Sequence, residues 1–444
     1  MSGAAVSGGA VSKSHELGTK ASHPRDGSTR TVPEGGVRAP QWGAGPQPGA
    51  TTARSTAAQS ASQPGSSASR TAVATRHLYV HLPFCAHRCG YCDFVTAVGK
   101  QSEHSSYVDA LLAELRLERH LLADEVGTIF LGGGTPTFTE PAALTRLLAA
   151  LPTAHEVTVE ANPETVTPEL AALLRDHGVN RVSLGAQSFQ PHLLEVLERR
   201  ATPTNVRAAV VTLRAAGFDN LSLDLIYGIP GQSVDDLARD LDAAIALGPE
   251  HLSCYELEAK PGTRFTHAHG DELVRQADAM EAYFETVVAT LTGAGYRWYE
   301  MANFCRPDPG RDLRAHHNLG YWLGSDYLGI GVGAVSTVAG LRWRNAPSVA
   351  RYMAALARGE RPSRELEPLG EDVQARERVL LGLRLDEPLA TAGLGGALDT
   401  EAVERLERLG LARSLDDGAR LELTARGRFL GGGVTAELLA LDVG

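Results

Sequence analysis

Three thiols fall within eight positions, Cys85, Cys89 and Cys92, in LYVHLPFCAHRCGYCDF (78–94). Thiolates are soft metal ligands, and Cys-x3-Cys-x2-Cys on a loop leaving a strand brings three of them to one cofactor. A structural zinc site closes its tetrahedron with four protein ligands, and His81 or His87 is near enough in sequence to be the fourth. An iron–sulfur cluster held by three cysteines instead keeps one iron without a protein ligand, open to a small molecule. The spacing favours the cluster, with zinc as the alternative. Three inert structural thiols are the weakest reading at this density beside Gly90.

The segments that must position this loop alternate strand-like and helical patterns. Strands are expected at 77–84, 128–134, 157–163, 181–188, 220–228 and 251–258, separated by amphipathic stretches such as YVDALLAELRLERHLLA and VDDLARDLDAAIALG. Such alternation implies parallel βαβ units, and six of them suit a partial (β/α)6 barrel of the TIM type, an α/β fold. In such folds function gathers at the C-terminal ends of the strands. The chemically distinctive residues fall there: the cysteines after the first strand, GGGTP after the second, then Glu160, Gln187 and Asp224.

CAHRCGYC is similar to the cluster-binding loop of the radical S-adenosylmethionine (radical SAM) superfamily. In that superfamily the open iron chelates the methionine end of S-adenosylmethionine, and an electron from the cluster cleaves the sulfonium to a 5′-deoxyadenosyl radical. The cofactor carries that chemistry, while the protein supplies geometry and electrostatics. YVHLPFC, GGGTPT, VEANPE, GVNRVSLGAQSF, SLDLIYGIPGQ and YEMANF extend the likeness. Together they resemble the oxygen-independent coproporphyrinogen III oxidase family and its haem-chaperone branch, from about residue 77 into the C-terminal region.

The resemblance implies a 4Fe–4S cluster on Cys85, Cys89 and Cys92, with S-adenosylmethionine and haem as further cofactors. Tyr79 is expected to contact S-adenosylmethionine and Tyr91 to pack on its adenine. Gly133, Gly134 and Thr135 are expected to admit its methionine end, and Glu160 to pair with its ammonium or ribose. Gln187, Arg199 and Asp224 match positions that contact a second S-adenosylmethionine in the decarboxylating enzyme. Taken singly, Glu160 and Asp224 read as strand-end caps, Arg199 as a solvated helix terminus and Tyr79 as core. Their common register with the cysteines is what joins them.

Two features separate the branches. The decarboxylating enzyme carries a further cysteine two positions after the third, where this chain has Phe94. HNLGYW matches the HNxxYW motif of the chaperone branch, which implies haem at His317, Tyr321 and Trp322, with His316 as an alternative ligand. An imidazole can ligate haem iron, and Tyr and Trp offer flat apolar faces to a porphyrin. A buried aromatic loop with a satisfied histidine is the ordinary alternative. The chain departs from the family pattern where Leu-Gly-Arg-x-His becomes LERRA, placing Glu198 for glycine and Ala201 for histidine. It departs again at Cys305, which like Cys254 reads as a strand thiol of low reactivity.

The expected function is that of a haem chaperone, passing haem to a haem-requiring protein such as a membrane respiratory complex. Oxidative decarboxylation of coproporphyrinogen III is the alternative, and an RNA-directed radical SAM role a distant third. A formal net charge of -11 argues against nucleic acid as a partner. No apolar run spans a bilayer, and no export pattern opens the chain, so a reducing, cytoplasmic setting is expected.

Residues 1–76 are rich in Ser, Gly, Ala, Thr and Pro and read as a disordered, mildly basic tail. Residues 77–305 would form the barrel and 306–365 a connecting region holding HNxxYW. From 366 to 444, helices followed by two short strands around Asp-Asp-Gly suggest a small α+β winged-helix-like domain.

Overall fold

The computed structural model describes residues 74–260 and 264–439, so the tail expected at the N-terminus lies almost wholly outside the described residues. Six parallel strands form the frame: β1 (His77–Leu82), β2 (Val126–Gly133), β3 (Ala154–Ala161), β4 (Arg181–Gln187), β5 (Leu221–Tyr227) and β6 (His251–Glu256). Each pairs with the next in chain order, as consecutive βαβ crossovers require. The sheet extends past both ends of this set. β7 (Arg297–Glu300) and β8 (Asn303–Cys305) add antiparallel beyond β6, while β9 (Leu328–Ile330) adds parallel beside β1.

The described sheet therefore runs β9-β1-β2-β3-β4-β5-β6-β8-β7, and its two edges are not paired with each other. It is the open, partial barrel expected from the sequence. YRWYEMANF, read as one strand, divides into two at a turn over Met301 and Ala302, and the antiparallel pair it forms carries a register irregularity between Asn303 and Phe304. The expected connecting region 306–365 contributes β9 to the main sheet, so it is more than a connector.

The strands are almost continuously apolar because helices cover the outer face. Leu78, Val80 and Leu82 of β1 are fully buried, as are Leu221 and Leu223 of β5. The helices start where local chemistry dictates. The Thr202 side chain accepts from the backbone N–H of Asn205 while the Asn205 side chain accepts from that of Thr202, a capping box that opens α5 (Pro203–Ala215) with proline at its first turn. Ser233 and Asp236 do the same for α6 (Val234–Ala246).

The C-terminal region contains helices over Glu371–Gly382, Thr400–Arg408 and Ala425–Leu438, the last broken by a kink at Gly431, and a small antiparallel sheet. Two of its strands, Ala412–Leu415 and Arg420–Leu423, flank Asp416 and Asp417, both at positive φ, as the sequence led us to expect. The helix over Ala425–Leu438 was not anticipated. Val379, Leu383, Leu406, Leu421 and Leu438 form this region's own core. Arg384 meets Glu300 at 2.7 Å and Arg342 meets Glu377 at 2.6 Å, tying it to the rest of the fold. Among the described residues no helix is long and apolar enough to cross a membrane.

Candidate functional site: a cysteine loop at the strand ends

Phe84 and Cys85 pair in parallel with Ala97 and Val98, which brackets the cysteine loop immediately after β1. The loop rests on the end of α4 (Pro191–Val196), where the Gly90 N–H donates to the Leu197 carbonyl at 3.4 Å. Tyr91 packs among Leu193, Leu197, Ile226, Ile229 and Phe265, a satellite of the core beneath the loop.

Each of the three sulfurs has its own hydrogen-bond donor. The Thr135 hydroxyl reaches Cys85 Sγ at 3.6 Å, Arg199 Nη1 reaches Cys89 Sγ at 3.5 Å, and the backbone N–H of Phe94 bonds to Cys92. Burial pushes the Cys92 thiol up to about 11, opposed by the Phe94 N–H, and burial likewise raises Cys85 against the Thr135 hydroxyl. The donors are themselves connected. Asn162 donates from Nδ2 to Thr135 Oγ1 at 3.0 Å and accepts at Oδ1 from Arg199 Nη2 at 2.8 Å. A continuous chain thus links Cys85, Thr135, Asn162, Arg199 and Cys89 across the ends of β2, β3 and β4. Arg199 Nε is buried with no hydrogen-bond partner among the described residues. Three sulfurs with aligned donors and a spare buried guanidinium N–H suit a sulfur-rich, anionic group, since hydrogen bonds to sulfur and nearby cations stabilise such clusters.

The zinc alternative fares worse. His81 is buried, with Nε2 on the Val95 carbonyl at 2.9 Å and Nδ1 on the Tyr79 hydroxyl at 3.0 Å. The carbonyl can only accept, so Nε2 carries the proton and Nδ1 takes the tyrosine proton. Burial lowers its pKa to about 4, keeping it neutral. His87 faces Glu198 at 4.0 Å. Among the described residues no three His, Cys, Asp or Glu side chains converge closely enough for one metal ion.

Glu160, Gln187, Arg199 and Asp224 are all partly exposed and line the open C-terminal edge of the sheet with the cysteine loop. Glu160 Oε2 accepts from the Gly133 N–H at 3.1 Å. Burial, and then the Asp224 carboxylate, push the Glu160 pKa up to about 8. Asp224 is also raised by burial, moderated by Arg181 and by the Ser183, Ser253 and Ser222 hydroxyls. Gln187 has φ 64° at an irregularity in the β4–β5 register, which turns its amide back toward Gly185 and Arg199.

The glycine turn is explained by the protein itself. A Cβ on Gly134 would lie 2.6 Å from the Pro83 backbone, and one on Gly133, at φ 108°, 2.5 Å from the His81 ring. These glycines let β2 pass tightly under the end of β1.

His317, expected at a haem, is 1% exposed and fully engaged. Its Nδ1 meets the Thr128 hydroxyl at 2.8 Å, its Nε2 meets the Tyr321 hydroxyl at 2.9 Å, and its ring stacks on Phe130. Trp322 is buried against the Arg384 guanidinium. The neighbouring His316 is the more open imidazole, 3.3 Å from Asp312 and 3.8 Å from Glu156. Both histidines sit at the start of α9 (His316–Trp322), whose first N–H groups are held by the two Glu156 oxygens at 3.0 Å. Cys254 and Cys305 are buried strand thiols, with burial pushing Cys305 up to about 11.

Sequence reasoning missed Asn162 and Glu156. Asn162 stood inside VEANPE, a polar residue where β3 ends, and that position was the available signal. Nothing local marked Glu156.

Residues 79–244 match the radical SAM superfamily pattern. The haem chaperone HemW of Mycobacterium tuberculosis is 41% identical over 376 residues, covering 82% of this chain and 94% of that protein. HemW of Bacillus subtilis is 32% identical, covering 81% and 98%. Among solved structures, coproporphyrinogen III oxidase HemN of Escherichia coli, a radical SAM enzyme, superposes with a TM-score of 0.69 at 25% identity, covering 83% of this chain and 91% of that one. A partial barrel with three donor-matched cysteines at its strand ends, and this degree of identity over nearly the whole length of the relatives, lead to one conclusion: the chain belongs to the haem chaperone HemW family of the radical SAM superfamily.

Proposed function

We propose that this protein binds haem and passes it to a haem-requiring client in the cytoplasm or at a respiratory membrane complex. The observation that carries the reading is the 41% identity to a haem chaperone over 94% of that relative's length. Cys85, Cys89 and Cys92 would hold a 4Fe–4S cluster, with Thr135, Arg199 and the Phe94 N–H bonding to the sulfurs. Tyr79, Tyr91, Gly133, Gly134, Thr135, Glu160, Gln187, Arg199 and Asp224 would line the S-adenosylmethionine site. When bound, the cluster and S-adenosylmethionine supply one-electron chemistry. The residues of this chain donate to the sulfurs, hold a proton on Glu160 and keep His81 neutral.

Haem is assigned to α9, at His316, His317, Tyr321 and Trp322, of which His317 and Trp322 are buried. Because His317 Nε2 is bonded to Tyr321, ligation there requires that bond to open, whereas His316 is accessible as it stands. Spectral titration of haem into wild type, His316→Ala and His317→Ala tests this. Loss of the bound-haem spectrum in either variant supports α9, and equal binding by all three rejects it. The likeness to HemN favours a second reading, decarboxylation of coproporphyrinogen III. Phe94 stands where that enzyme carries a further cysteine. An anaerobic assay of the reconstituted protein with S-adenosylmethionine and coproporphyrinogen III separates the two, since steady formation of protoporphyrinogen would overturn a chaperone-only role.

A further inference from the structure

The helix beneath the cysteine loop ends in a conformation that its sequence does not favour. The Glu198 N–H bonds to the Glu195 carbonyl at 2.9 Å and the Arg199 N–H to the Leu194 carbonyl at 2.9 Å, the paired bonds of a Schellman motif with Glu198 at the left-handed position. Its φ is 55°. That position belongs to glycine on steric grounds, and a side chain there costs stability. In this chain a carboxylate stands instead, and the strain places it against the cysteine loop. Glu198 Oε2 lies 4.0 Å from His87 Nε2, and a Cβ on Gly90 would come within 3.1 Å of Glu198 Oε1.

His87 and Gly90 lie before and after Cys89 in the chain, so Glu198 meets the loop around the cysteine whose Sγ Arg199, the next residue, bonds at 3.5 Å. The Leu197 carbonyl, accepting from Gly90, completes the contact.

We propose that Glu198 is a positioning residue that clamps the cysteine loop of this chain, trading backbone strain at the helix end for retention of the cluster. The inference rests on the assignment of Cys85, Cys89 and Cys92 as its ligands. The clamp has a signature that a purely structural residue lacks: relieving the strain and loosening the loop move two measurements in opposite directions.

The experiment compares wild type, Glu198→Gly and Glu198→Gln, purified and reconstituted anaerobically with iron and sulfide. The thermal midpoint of each apo-protein is measured first. Decay of the visible iron–sulfur absorption under an iron chelator is measured second, and the cluster's midpoint potential third. Glu198→Gly is expected to raise the apo-protein midpoint, because glycine relaxes the left-handed turn. It is also expected to lose its cluster about two- to fivefold faster, the scale of a half-exposed charged contact. Glu198→Gln keeps the strain and the reach but not the charge. Its midpoint should stay near wild type, and its cluster potential should move positive as a nearby negative charge disappears. A Glu198→Gly protein that is more stable and keeps its cluster as long as wild type overturns the proposal and leaves the cysteine assignment intact. A wild type that takes up no cluster overturns both.

Discussion

Glu160→Gln isolates the electrostatics of the strand-end site. Glu160 is an acid whose pKa rises on folding from 4.5 to about 8. Between those values the folded protein holds a proton that the unfolded chain has released. Stability from this group is therefore fully present below about 4.5 and is lost as pH climbs through 8. The slope approaches about 1.4 kcal/mol per pH unit, which sets a ceiling on the order of 5 kcal/mol across the window. Glu160 keeps some contact with solvent at the sheet edge, and screening reduces the expected loss to roughly 2–3 kcal/mol. Glutamine preserves the shape and still accepts from the Gly133 N–H, but it does not titrate. Denaturant unfolding of both apo-proteins from pH 5 to 8.5 should give nearly equal stabilities at the acid end and a variant increasingly the more stable toward the alkaline end. Parallel curves would refute the account of a buried, Asp224-coupled carboxyl. The same acid offers a second readout. If the ammonium of S-adenosylmethionine binds beside Glu160, binding below pH 8 must expel a proton. Calorimetry in two buffers of different ionisation enthalpy would detect this release in wild type and not in Glu160→Gln.

Asn162→Ala should remove one of two acceptors from Arg199 Nη2, which keeps the Gly185 carbonyl at 2.8 Å, and the donor to the Thr135 hydroxyl, costing about 0.5–1.5 kcal/mol in apo-protein stability and speeding cluster loss under chelator. Gly134→Ala should be more damaging than its size suggests, because the added methyl meets the Pro83 backbone at 2.6 Å rather than a movable side chain. A lowered unfolding midpoint, by the equivalent of about 1–3 kcal/mol, together with impaired reconstitution is the expected result.

Much of the fold was legible because its signals are local. The short apolar, β-rich runs of β1 to β6, the longer amphipathic segments between them, and the Asp-Asp-Gly turn of the last hairpin each depend on neighbours within a few residues. The crowding of three cysteines at the exit of β1 depends on nothing else, and neither does the placement of Glu160 and Gln187 at strand ends, whereas Asp224 stands in the middle of β5. The sequence by itself therefore determined an open α/β barrel with a thiol loop at its functional edge.

Tertiary structure decided which side chains meet. β9 lies beside β1 although about 250 residues separate them in the chain. Asn162 joins Thr135 to Arg199 only because β2, β3 and α4 end at the same level. His317 reads as a ligand in HNLGYW, yet it is buried because Thr128, Phe130 and Tyr321 enclose its ring from three sides. Glu198, in sequence a mere departure from a glycine pattern, becomes a brace for the cysteine loop because its left-handed backbone aims it at Gly90. Local periodicity records which face of an element is buried, but the partners on that face are set by the packing of distant segments. That packing is a property of the folded chain as a whole.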